Sequence, residues 1–404
     1  MQREDIKVVS IHSLSEYIDY IIKLPENTLF RGENALYEFR CSSAFRTLKS
    51  SDSDKIIDFQ KLINTFYSDV SYKISEKERK AFLAFAQHYG IPTNLLDVTK
   101  SPLIALYFAC QPNSRINEKT PQNLRAITEY FARDIDKDKQ ELFSHFFEDW
   151  GYVYTSNAYI DITDLVEKTK NGNFINYFFL DNEEHLLDIL PIIQTFKDAH
   201  PKEFQNLWYN LKHIIAHTTE EFTEFEDKEV CSLHRLFDWR KRTINHKAIN
   251  KYLSKYFYNI EEHLTQYYID VINYVYVISE YINLEKNRLG DDSEFIDYFP
   301  NLLYHPVIDF ERGRNQDGCF FYQSHFSFVC DLWGPYGKNN KFVSIALQYF
   351  HFDKTILQIQ NKQEILATLD KLGINEKYVW CDFDHIASYI VRKSSSGKDF
   401  VVPQ

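Results

Sequence analysis

The chain has 404 residues, 44% apolar and 26% charged, with 28 Tyr and 33 Phe. Those proportions exclude an intrinsically disordered protein, and the length allows one large domain or two to three ordinary ones. A net charge of −12 excludes an overall basic footprint for duplex DNA or anionic lipid.

The first ten residues, MQREDIKVVS, lack the apolar stretch of a signal peptide. Residues 13–23 set apolar side chains at helical spacing behind a Ser cap and predict a short helix. TLFRG at 28–32 reads as a strand ending in a Gly turn. Residues 54–71 carry Ile56, Ile57, Phe59, Leu62, Ile63, Phe66 and Val70 on one face, an amphipathic helix. A second helix is expected over 75–89, stopped by Gly90 before Ile91-Pro92. NLLDVT at 94–99 reads as an apolar strand. Ser101 caps the helix that follows, with Pro102 tolerated at its first position. That helix is apolar almost all round and should be buried.

From 111 to 300 the pattern is mostly helical, with long periodic segments at 139–149, 183–198, 202–217 and 246–288. Strand character returns at 318–330 and 341–350. An amphipathic helix at 362–373 ends on Gly373, YVWCDF at 378–383 reads as a strand, and 385–393 reads as a closing helix. The residues from 394 onward look like a frayed tail. The expected class is therefore α+β, with a small mixed or antiparallel sheet built from 1–110 and 301–393 and interrupted by a helical insertion at 111–300.

Six scattered cysteines form no C-x-x-C pair, which suits reduced thiols and a cytoplasmic location. No run of about 18 apolar residues exists, so no membrane span is expected. His213 and His217 lie at i, i+4 on a predicted helix, but with Cys231 and His234 they fit no standard zinc spacing, and no metal is expected. The basic run Arg235–Arg242 reads either as a solvated helix face or as a contact for single-stranded RNA. The aromatic excess reads either as core or as a ring-stacking surface.

Five stretches, in order, resemble the FRG family, named for a Phe-Arg-Gly signature. They are Leu29-Phe30-Arg31-Gly32-Glu33; Ser42-Ser43-Ala44-Phe45-Arg46; the long run Ala86 to Thr99 with Ser101-Pro102-Leu103 and Ala105 to Ala109 behind it; Arg312, Gln316, Gly318 and Phe320; and Asp382 to Ile390. The resemblance covers roughly 27–110 and 303–392. Where the family often has Arg after Pro-Thr and an aromatic after Leu-Asp, this chain has Asn94 and Val98. The missing Arg removes one phosphate or carboxylate contact. More loosely, Arg31, then Thr99 or Ser101, then Gln316 resembles the layout of ADP-ribosyltransferases, with Gln where that family has a late Glu.

The FRG resemblance implies no particular activity; the looser layout, together with the chemistry of the residues themselves, leads to the expectation of a cleft in which Arg31, Gly32, Arg46, Thr99 and Ser101 hold a nucleotide such as NAD as co-substrate, and Gln316, His88 and Asp97 do the chemistry. The reaction that layout implies is ADP-ribosyl transfer or NAD cleavage, in a toxin or an anti-phage defence effector. Each residue has a plainer alternative. Arg31 either offers its planar fork to an anion or makes an ion pair with Glu33 or Asp97. The Ser101-Pro102 helix start is either an anion site or an ordinary cap. His88 either shuttles protons or is held in the core. Gln316 either binds a ligand or satisfies a buried backbone group. Two further readings stay open: a non-catalytic nucleotide-sensing module whose insertion docks a protein partner, and a single-stranded RNA effector.

Overall fold

The computed structural model describes residues 7–37, 40–46, 59–112, 149–169, 174–178, 183–221, 268–285, 295–296, 298–307, 310–333 and 339–396. In chain order its elements are β1 (Lys7–Ile11), α1 (Leu14–Ile21), β2 (Leu29–Glu33), α2 (Ser43–Arg46), α3 (Phe59–Val70), α4 (Glu76–Lys80), α5 (Phe82–His88), β3 (Leu95–Thr99), α6 (Pro102–Ala109), β4 (Gly151–Ser156), β5 (Tyr159–Asp161) and α7 (Thr163–Thr169). A 3-10 turn (Phe174–Phe178), α8 (Glu183–Ala199), α9 (Pro201–Glu221), α10 (Ile269–Glu285), β6 (Phe295–Ile296), β7 (Asn301–Tyr304), α11 (Glu311–Asn315), β8 (Gly318–Tyr322), β9 (His325–Trp333) and β10 (Asn339–Gln348) follow. β11 (Thr355–Ile359), α12 (Lys362–Lys371), α13 (Glu376–Trp380) and α14 (Phe383–Ser396) complete them.

The class is α+β. The chain forms two compact units, one of Met1–Asn157, His305–Phe321 and Phe352–Gln404, the other of Ala158–Tyr304 and Tyr322–His351. These limits differ from the boundaries expected at 110, 300 and 393. β4, inside the stretch read as helical, pairs with β2 and β11, which carries the first unit past residue 110. β9 and β10 pair with each other and β10 with β6, which puts 322–351 in the second unit. Ser394 donates to the Ile390 carbonyl at 2.8 Å and extends α14 into the expected tail.

In the first unit the strands of a mixed sheet run β1-β11-β4-β2-β3-β8. β1 and β11 are parallel, while β11-β4, β4-β2 and β2-β3 are antiparallel. On one face α6 packs with Tyr17, Val153, Leu357, Ile359, Ile365 and Leu369 into one apolar cluster. On the other, Tyr152, Tyr154 and Ile356 pack with Leu36. β4 thus sends Val153 to one side and its two tyrosines to the other, and every residue of it is buried. That is why it shows no polar–apolar alternation.

Two glycines let α6 lie directly on the sheet. A Cβ at Gly32 would sit 1.8 Å from the Ala105 carbonyl oxygen, and one at Gly151 would sit 2.0 Å from that of Ala109. The expected caps are present: Ser13 and Ser101 accept from the backbone N–H of Glu16 and Ile104. Gly90 and Gly373, with φ of +85° and +89°, close α5 and α12. In each case the next residue, Ile91 or Ile374, donates back to Ala86 or Leu369, the usual reason for glycine at that place.

Three expectations are corrected. The helix expected over 75–89 is two, α4 and α5, meeting at Ala81. α4 is a solvated turn with a Ser75–Glu78 capping box, while Phe82–Ala86 are all buried, so the helix breaks where the environment changes. The strand expected over 318–330 breaks at Gln323-Ser324, which bond Gln348 instead. YVWCDF is not a strand. Asn375 caps the helical turn α13 by accepting from Tyr378 N–H at 3.1 Å, and Cys381 ends it at φ 48°.

The second unit holds the parallel pair β5-β7, the sheet β6-β10-β9, and helices α7 to α10. Ile189, Ile193, Phe196, Phe204, Val271, Val275 and Ile278 make part of its core, and Lys197 pairs with Asp270 at 2.5 Å. Residues 139–148, 246–267 and the run Arg235–Arg242 lie outside the described residues. Among those described, no helix is long and apolar enough to cross a membrane.

Candidate functional site

The first unit contains a cleft of about 270 Å³. β2 and β3 supply Arg31, Gly32, Asp97 and Thr99; α5 supplies Gln87 and His88; the segment around α11 supplies Phe310, Arg312 and Gln316; α6 and α13 supply Phe108 and Trp380. Arg31, Gly32, His88, Asp97, Thr99 and Gln316 therefore line one space. Arg46 and Ser101 do not. Arg46 donates to the Cys41 carbonyl at 3.1 Å, and Ser101 is the cap of α6.

Most of these groups are already bonded. Arg31 Nε meets Glu33 Oε1 at 2.8 Å, and its Nη1 donates to the Asp97 carbonyl at 2.6 Å. Successive side chains alternate along a strand, so the i, i+2 spacing places these two on the same face. Glu33 is buried and is also 3.4 Å from Arg40, whose guanidinium stacks 3.5 Å over Tyr154. Arg31 is the plainer of its two readings: an ion pair, here with Glu33, anchored on the Asp97 backbone. Thr99 Oγ1 donates to the Gln316 carbonyl at 2.6 Å and accepts from Ser101 N–H at 2.9 Å. Gln316 Nε2 donates to the Val379 carbonyl at 3.1 Å, and Asn315 Nδ2 to that of Tyr378 at 2.9 Å. These two amides clamp α13 to α11 and bring Trp380 into the cleft.

Other groups remain open. Gln87 Nε2 donates to Asp97 Oδ1 at 2.7 Å, while Gln87 Oε1 accepts from Thr93. That fixes the Asp97 carboxylate with its second oxygen unpartnered among the described residues. Arg312 stacks 4.0 Å above Trp380 and makes no ion pair or hydrogen bond to the described residues. Burial pushes its guanidinium down from the ordinary value, against the pull of Asp97, Asp382 and Cys381, yet an arginine stays charged near neutrality. His88 stacks on Phe310 with ring centres 4.0 Å apart and planes 20° apart. Burial, then the Arg312 charge, push its imidazole below the ordinary 6.5, with Asp382 opposing. His88 is thus a neutral ring at pH 7.

With this geometry in place, residues 26–118 match the family model of the FRG domain. The chain carries an FRG domain. No curated protein and no solved structure matches the chain. The signature Phe30-Arg31-Gly32 of the FRG domain sits on β2, with Phe30 in the core, Arg31 paired and Gly32 under α6. Gln87 and Arg312 belong to the stretches that resemble the family but carry no expected role, and Phe310 and Trp380 lie outside them. Trp380 had no signal, because it was assigned to a strand. Gln87 had one: it lies one residue before His88 near the helix end that faces β3.

Proposed function

We propose that the FRG domain cleft binds a small anionic ligand carrying a flat ring, of the nucleotide class. One observation carries this reading: Arg312 lines the cleft, stacked on Trp380, with no carboxylate bonded to it among the described residues. A partly buried guanidinium without a bonded carboxylate is well suited to a phosphate. Phe108 lines the cleft edge-on to Trp380, while Phe310 already stacks on His88 and Trp380 on Arg312 and His385; base-on-aromatic stacking is favourable whatever the base. The test is calorimetric titration of the full chain with NAD, ADP-ribose and AMP. Saturable binding weakened about tenfold or more by Arg312→Ala supports the reading; no binding by any of the three overturns it.

The enzymatic version, NAD cleavage or ADP-ribosyl transfer of the kind a toxin or defence effector would use, rests on a different residue. Gln316 is spent on the Val379 carbonyl and carries no charge. Asp97 is the acidic side chain among the lining residues, and a carboxylate can stabilise an oxocarbenium-like centre. That version predicts nicotinamide release from NAD, abolished by Asp97→Asn and retained in Gln316→Ala, and it requires the cleft to admit a dinucleotide. Release that survives Asp97→Asn removes Asp97 from this role. The RNA-binding alternative depends on Arg235–Arg242, outside the described residues, and no feature of the cleft favours it.

A further inference from the structure

Resting on the nucleotide reading, we infer that the cleft is built for one nucleotide unit with a single phosphate, its phosphate on Arg312 and its ribose hydroxyls on Asp97, rather than for a whole dinucleotide. Three observations converge. The cleft volume, about 270 Å³, lies below the roughly 300–1,000 Å³ usual for ligand pockets, so one ring, one sugar and one phosphate are favoured over two linked halves.

The charge inventory of the lining points the same way. Arg31 is neutralised by Glu33. That leaves Arg312 as the cation without a bonded anion among the described lining residues, faced by the carboxylate of Asp97. One guanidinium matches one phosphate; further phosphates would lie near Asp97 without a counter-charge. The third observation is the state of Asp97. Gln87 holds one carboxylate oxygen and leaves the other open. A carboxylate accepts and does not donate, so what it selects is a donor, and a sugar diol offers two. His88, neutral and stacked on Phe310, adds no second positive charge that would reward a polyphosphate.

The experiment is a ligand series on the full chain, read by calorimetry: AMP, nicotinamide mononucleotide, ATP, NAD and the dideoxy form of AMP. Wild-type protein is expected to bind at least one mononucleotide no less tightly than NAD or ATP, and to lose roughly tenfold in affinity for dideoxy-AMP relative to AMP. Asp97→Asn, whose amide oxygen can still accept from Gln87, should abolish that preference. NAD or ATP binding about tenfold tighter than both mononucleotides would overturn the single-unit inference while leaving the nucleotide reading intact. A preference for AMP over its dideoxy form that persists in Asp97→Asn overturns the ribose assignment. If no compound in the series binds the folded protein, the nucleotide reading itself fails, and this inference with it.

Discussion

Two regions of the first unit sit side by side and are used in opposite ways. Along β2, β3 and the start of β4, the signature residues and their neighbours are already engaged within the fold. Gly32 and Gly151 meet helix backbone, Arg31 is spent on Glu33 and the Asp97 carbonyl, and Thr99 is spent on Gln316 and Ser101. Along the wall formed by α11, α13 and the end of α5, Arg312, the second oxygen of Asp97 and the stacked rings of His88 and Phe310 face the cleft. The signature that names the family thus does architectural duty, and the open chemistry comes mostly from residues without a place in that name.

Each variant below tests one side of that contrast. The largest effect belongs to Gly32→Ala. Its methyl would press on the Ala105 carbonyl, which cannot swing aside as a side chain can. A loss of about 3 kcal/mol or more is expected, the upper end of the cost of overpacking, read by urea denaturation; an unchanged midpoint would mean that α6 does not rest on β2. Next comes Arg31→Met, which leaves Glu33 buried with, among the described residues, the longer contact to Arg40. About 3 kcal/mol should be lost, and Arg31→Met with Glu33→Leu should recover most of it. If Arg31→Met instead spares stability and abolishes nucleotide binding, the contrast collapses.

Thr99→Val removes a donor and an acceptor at once and should cost about 1–2 kcal/mol with little change in ligand affinity. The smallest effect is the titration of His88. Its folded-state value is depressed, chiefly by burial and then by Arg312, so the unfolded chain takes up its proton first as pH falls. The stability tied to the neutral ring is fully present above the ordinary 6.5 and is lost as pH drops below it toward the folded value. Urea midpoints measured down that range should decline more steeply in the wild type than in His88→Asn.

Local signals were legible where local chemistry decides the structure. Ser13, Ser101-Pro102, Gly90 and Gly373 mark helix ends with their own side chains or backbone freedom. The pairing of Arg31 with Glu33 was among the readings available from strand periodicity. What escaped detection depends on distant partners. β4 is buried on both faces and looks like an unpatterned apolar run. α13 shows large residues two apart, Tyr378 and Trp380, and the Asn375 cap with the clamps from Asn315 and Gln316 holds it helical. Arg312 becomes notable only because Trp380, far later in the chain, is folded beneath it; Arg46, prominent in sequence, ends on a neighbouring carbonyl.

β2 aligns with β4 at five positions but with β3 at one, Phe30 opposite Thr99. The family match stops at residue 118, well before β4 begins. A fragment trimmed to the match would therefore keep a strand stripped of its principal neighbour and a greasy helix missing half its bed. Such a piece would present a raw hydrogen-bonding rim to other copies of itself, a recipe for aggregation. What is recognisable along the chain is shorter than what can stand alone in water.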